Sequence, residues 1–287
     1  MTNTTPKTKI PPLMWAFTIV FALAAAVGGY VIGERDGQQN ALNQMEEHVG
    51  GVESEGAGAE GADVGIPDSA KPGTDFSPVK ADANGFFDAT IQGPSAPITS
   101  QDEIDNAARR DPKDPMAVGA LDAPVVISEF SDWDCPFCIR HSTTVEPELI
   151  KEYVEKGYVR IEWNDLAVQG PASIAAAKAG RAAAEQGKFA EYKDAYMAAA
   201  ANKGGHPGFE LEDFIGFAKK AEVPDIEKFI ADTQSDKYNE AIDKARDYAQ
   251  GLGITGTPGF IVGKKFLAGA MPIGDFRSAI NTQLTAN

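Results

Sequence analysis

Both cysteines of this chain fall within four residues, Cys135-Pro136-Phe137-Cys138, and the chain has no third. A disulfide-stapled scaffold is therefore excluded. The three histidines, His48, His141 and His206, are scattered, so two thiolates are left short of the four ligands of a structural zinc site. No metal site is expected. What remains for the pair is redox chemistry or a short structural disulfide, and so small a loop stabilises little by chain entropy. The formal charge of −16, from 42 acidic against 26 basic residues, leaves no basic surface for nucleic acid or for docking on anionic lipid.

The compartment follows from the N-terminus. Residues 10–33 contain no charge, and as a helix they would span roughly 36 Å against a hydrocarbon core of about 30 Å. Lys7 and Lys9 precede them and Glu34-Arg35-Asp36 follow. By the positive-inside rule, residues 1–9 form a cytoplasmic tail, 10–33 a single transmembrane signal anchor, and the rest lies outside the cytoplasm. The alternative is a secreted protein, since Ala22-Leu23-Ala24 and Ala24-Ala25-Ala26 both fit a signal-peptidase site. Either route ends where disulfides persist.

Residues 34–100 are acidic and rich in glycine and alanine, with no aromatic residue between Tyr30 and Phe76. This composition reads as a flexible tether with an r.m.s. reach of roughly 45 Å, against which Phe86, Phe87 and Ile91 are the residues able to pack on a domain. Order is expected to begin between Gln101 and Met116. Val125 to Phe130 has the apolar, β-branched pattern of a strand buried on both faces. Pro136 then suits a helix's first turn, and that helix is expected to run to about Lys156 with Ile139, Val145, Leu149 and Val154 inward. A strand over Tyr158 to Trp163 completes a βαβ unit. Residues 171–251 read as helices alone, punctuated by Gly187, Gly204-Gly205, Pro207-Gly208 and Pro224. A hairpin, Gly259 to Val262 and Lys265 to Ala268, and a helix from Pro272 to about Leu284 close the chain. The expected fold is α/β: a thioredoxin-like domain over 101–287 with a helical insertion, preceded by one membrane helix.

Glu129 to Cys138 and the distant Gly253-Ile254-Thr255-Gly256-Thr257-Pro258-Gly259-Phe260 resemble the active-site strand and the cis-proline loop of the DsbA-like thiol-disulfide oxidoreductases. The lead-in from Arg109 to Val126 is similar to that of membrane-tethered bacterial members. The resemblance covers roughly residues 109–284. It implies that Thr257-Pro258 is cis, abuts the cysteines and leaves the Thr257 backbone to pair with an extended client. It also implies that Glu129 is a buried acid able to exchange a proton with Cys138; the alternative is a surface glutamate, and no lysine partner is legible.

The start of a helix lowers a cysteine's pKa from about 8.5 to about 3.5–7.5. Cys135 is therefore expected to be the exposed nucleophile and Cys138 the resolving thiol, working through a mixed disulfide. Pro136 and Phe137 would tune the pair. Many relatives have histidine where Phe137 stands, and Asp132 and Asp134 would oppose a thiolate if they point inward. His141 is expected to be a partly exposed helix residue, and Trp133 either part of an apolar client surface or a packed lid. Gly251 to Gly256 formally reads GxGxxG, but it lies between a helix and a strand, the wrong context for a dinucleotide. The function expected is a membrane-anchored, monomeric oxidase that needs no cofactor and forms disulfide bonds in exported cysteine-containing proteins. By resemblance a quinone-linked membrane protein would reoxidise it. The alternatives are a reductase or isomerase, or a chaperone or adaptor without redox turnover.

Overall fold

The computed structural model describes residues 65–286. The expected tail, anchor and first half of the tether lie outside the described residues. Among these, no helix is long and apolar enough to cross a membrane.

Five strands form one sheet in the order β1-β3-β2-β4-β5: β1 Ala117–Val118, β2 Val125–Ser131, β3 Val159–Asp165, β4 Gly259–Val262 and β5 Lys265–Ala268. The parallel β2/β3 pair starts from Val125 opposite Val159, and β4 runs antiparallel to β2 with Phe260 opposite Glu129. All residues of β2 and β3 are buried, which is why β2 lacks the alternation of a half-exposed strand. One face packs Ile127, Val262, Phe260, Phe276 and Ile280 together; the other packs Phe130, Ile261, Leu166 and Ala249. Each of the large side chains among these contributes roughly 1.5–3 kcal/mol by burial.

Between β2 and β3 the expected single helix is broken. It consists of α1 Pro136–Thr144, α2 Glu146–Leu149 and one π-helical turn, Ile150–Val154. Pro147 has no N–H to continue the ladder, and Thr143 and Thr144 turn their hydroxyls back onto the carbonyls of Ile139 and Arg140, which bends helices. Ile139, Val145, Leu149 and Val154 are nevertheless buried as expected. The helical block between β3 and β4 comprises α3 Pro171–Ala184, α4 Phe189–Lys203, α5 Leu211–Lys220, α6 Ile226–Gln234 and α7 Asn239–Gly251, and α8 Ile273–Ala286 ends the fold. An aromatic core of Trp133, Trp163, Phe189, Tyr192 and Tyr196 joins the block to the sheet.

Residues 65–100 differ from the tether expected of them. They form no helix or strand but lie along the domain as a strap held by long-range contacts. The N–H groups of Thr74 and Asp75 donate to the Asp122 carboxylate, and Gly73 N–H donates to the Gly157 carbonyl. Phe87 N–H donates to the Glu185 carbonyl, Lys228 Nζ stands 4.6 Å over the Phe86 ring, and Arg181 donates to the carbonyls of Ala89 and Ile91. Such contacts leave no periodic trace in a sequence, so composition alone read the segment as coil.

Candidate active site

The loop after β2 delivers Cys135 as the N-cap of α1, with Pro136 in the first turn. Both cysteines are free thiols. Cys135 is 2% exposed, so it is not the open nucleophile expected of a helix start. The reason is the loop before β4: the Thr257-Pro258 bond is cis, and the Cys135 thiol donates to the Thr257 carbonyl at 3.4 Å. The apolar surface beside it belongs to Phe137, 56% exposed, with the Arg140 guanidinium 5.4 Å from its ring centroid.

The two thiols are made unequal by their surroundings. Cys135 is lowered to about 6, chiefly by the hydrogen bond from Cys138, with burial opposing and the Thr257 side chain and the N–H groups of Cys138 and Phe137 assisting. Cys138 is pushed well above the ordinary thiol range by burial and by Cys135; its sulfur accepts the N–H of Asp132 at 3.4 Å. At neutral pH the helix start therefore holds one thiolate, on Cys135. Asp132 and Asp134 do not spend their carboxylates on the thiols. Asp132 accepts the N–H groups of Asp134, Val168 and Gln169, and Asp134 accepts that of Gly208 at 2.7 Å. His206 reaches the Asp134 carbonyl through Nδ1 at 2.8 Å.

Beneath the helix start lies a buried group of charges. Glu129 is fully enclosed, and burial raises it to about 7 although Lys193 pulls the other way; its Oε1 has no hydrogen-bond partner. Lys193, from α4, instead pairs with Glu146 at 2.5 Å and stands 4.8 Å over the Trp163 ring. Burial, the largest single influence, would raise Glu146 too, but Lys193, His141 and Ser142 together outweigh it and the group is lowered. One ammonium thus faces two carboxylates, and the unpaired one, Glu129, holds its proton up to about pH 7. The surface reading of Glu129 is excluded.

Two expectations are corrected here. Trp133 is 1% exposed and cannot be part of a client surface, because its indole is enclosed by Phe189, Tyr192 and Tyr196. His141, expected to be partly exposed, is buried against Phe260 and Phe276, and burial lowers it to about 4, so it is neutral. Glu146, Lys193, Arg140 and His206 had no motif to mark them; only the broken helix and the folded insertion bring them in. Among the described residues no cluster of three or more His, Cys, Asp or Glu could hold a metal. A cleft of about 960 Å³ under the strap, lined by Val79, Phe86, Lys113 and Leu121, includes neither cysteine.

Comparison with known proteins agrees with this fold. Residues 111–282 match the thioredoxin family model. A protein of Bacillus cereus described as probable disulfide bond formation protein D is 32% identical over 152 residues, 51% of this chain and 69% of that protein. Oxidised BdbD of Bacillus subtilis superposes with a TM-score of 0.54 at 22% identity, covering 59% of this chain and 92% of that one. DsbA of Chlamydia trachomatis gives 0.51 at 22%, covering 60% and 91%.

Proposed function

This chain belongs to the thioredoxin family and is a DsbA-like thiol-disulfide oxidoreductase, and from that premise we propose that it forms disulfide bonds in exported proteins while tethered to the membrane by residues 10–33. The observation that carries the direction of transfer is the unequal pair, with Cys135 lowered to about 6 and Cys138 raised. A stabilised Cys135 thiolate stabilises the reduced protein and so makes its disulfide an oxidant.

In the oxidised protein a client thiolate attacks Sγ of Cys135, the S–S bond to Cys138 breaks, and Cys138 leaves. Its high affinity for a proton makes protonated Glu129 the natural donor. A second client thiolate then attacks the client sulfur of the mixed disulfide and expels Cys135 as a thiolate, a good leaving group. The client loses two electrons and gains a disulfide; the protein gains both as a dithiol. Phe137 offers apolar contact, and the backbone of Thr257, held at Pro258, would pair with the client. Pro136 tunes the pair by starting the helix without an N–H. A quinone-linked membrane protein would return the dithiol to the disulfide. No cofactor enters these steps.

Replacing Cys138 with alanine in the full chain removes the resolving thiol, so reductant-sensitive adducts on Cys135 should accumulate with exported cysteine-containing proteins. If none forms in cells making such clients, the reading fails. Complementation of a deletion by the Cys135→Ala, Cys138→Ala double variant would instead support a non-redox adaptor.

A further inference from the structure

Asp165 closes β3 opposite Ser131, the last residue of β2, and so stands beside the point where β2 gives way to the cysteine loop. Its carboxylate is almost fully buried. Oδ1 accepts the indole N–H of Trp163 at 2.8 Å and that of Trp133 at 3.3 Å. Oδ2 accepts Nε of Arg181 at 2.7 Å. Arg181, on α3, is 1% exposed, and its Nη1 donates to the carbonyls of Ala89 and Ile91 in the strap. Polar contacts therefore run without a break from the strap through Arg181 and Asp165 to Trp133, two residues before Cys135.

Each link has little room to give. A Cβ on Gly180 of α3 would stand 2.3 Å from the Trp133 indole, so the helix backbone presses on the ring. A Cβ on Gly187 would stand 2.7 Å from the Phe87 ring, so the strap sits equally close to the end of the same helix. Released from the strap, Arg181 would keep buried donors without acceptors, which a closed interior penalises. The adjustment available is a shift of Asp165 and of the indole it holds. The Cys135 thiolate depends on short-range donors, which a small displacement of its loop alters.

We propose that Asp165 is a positioning residue of the exchange reaction, fixing the Cys135 loop through Trp133, and that the strap acts on Cys135 through Arg181 and this carboxylate. The proposal rests on the thiol-disulfide exchange reading. It assigns residues 85–91 to the working domain.

The test compares the full chain with Asp165→Asn and Phe87→Ala, each equilibrated with glutathione redox buffers and each melted thermally. Asparagine keeps an acceptor for the indoles but loses the charge opposite Arg181; Phe87 seats the strap against Gly187. Both variants should move the equilibrium constant with glutathione at least threefold toward a less oxidising pair, about 14 mV for a two-electron couple. The double variant should move it less than the sum of the two, since they act on one path. Variants that melt earlier with the constant within twofold of the parent would overturn the proposal, leaving Asp165 a structural residue. Should Asp165→Asn fail to fold, Phe87→Ala decides by the same criterion. A parent chain that does not equilibrate with glutathione at all would overturn the exchange reading itself.

Discussion

The sulfur of Cys135 lies 3.4 Å from the carbonyl oxygen of Thr257, 122 positions further along the chain. The contact joins the start of α1 to the cis loop before β4 and covers the nucleophile in the resting protein. On the proposed reading, a client enters between Phe137 and that loop, and its backbone would lie beside Thr257 as its sulfur meets Cys135.

The inequality of the thiols is open to alkylation. The rate of Cys135 modification should rise through pH about 6 and level off above it, while Cys138 stays inert. In Cys138→Ala the midpoint should move up, because the largest stabilising contribution to the thiolate is gone. A parent midpoint near the ordinary thiol value of about 8.5 would contradict the arrangement.

Glu129 should leave its mark on stability. Its folded pKa is raised to about 7 by burial, from an ordinary 4.5, so between these values the folded state holds a proton that the unfolded state has released. The associated stability is fully present below about 4.5 and is lost as pH rises through 7, on the order of 3 kcal/mol. Glu129→Gln cannot ionise, so its advantage over the parent in denaturant melts should grow across that window. A constant difference from pH 4 to 8 would contradict a buried, protonated Glu129.

Among the described residues, Lys193 carries the only positive charge paired with Glu146. Lys193→Met strands a buried carboxylate and should cost about 3–5 kcal/mol. Adding Glu146→Gln removes the stranded charge and should restore much of the loss. Equal instability of the single and double variants, measured by urea melts, would argue that the lysine acts through packing alone.

How far the sequence discloses this site depends on how local its parts are. The strand, proline-capped cysteines, hairpin and closing helix each follow from neighbouring residues, and their bounds stand within a few positions. The sequence leaves Trp133 open between client surface and packed lid and places His141 partly in solvent, because burial from the side is decided by α4, β4 and α8, far away in the chain. The two-residue β1 is too short to carry a pattern and exists through pairing with Ile161 and Glu162. Lys193 meets Glu146 across 47 positions, on a helix whose sequence marks it as no more than an ordinary surface lysine. The strap is the clearest case: Phe86 and Phe87 are legible as residues able to pack, but its order also rests on the Asp122 carboxylate and on single carbonyls, which composition does not register.

The most direct test of the account is the reduction potential of the Cys135/Cys138 pair, measured by equilibration of the full chain with glutathione. The proposed oxidase requires a pair more oxidising than about −200 mV, in the range of disulfide-forming proteins. A value near thioredoxin's, about −270 mV or lower, would contradict it and identify a reductase.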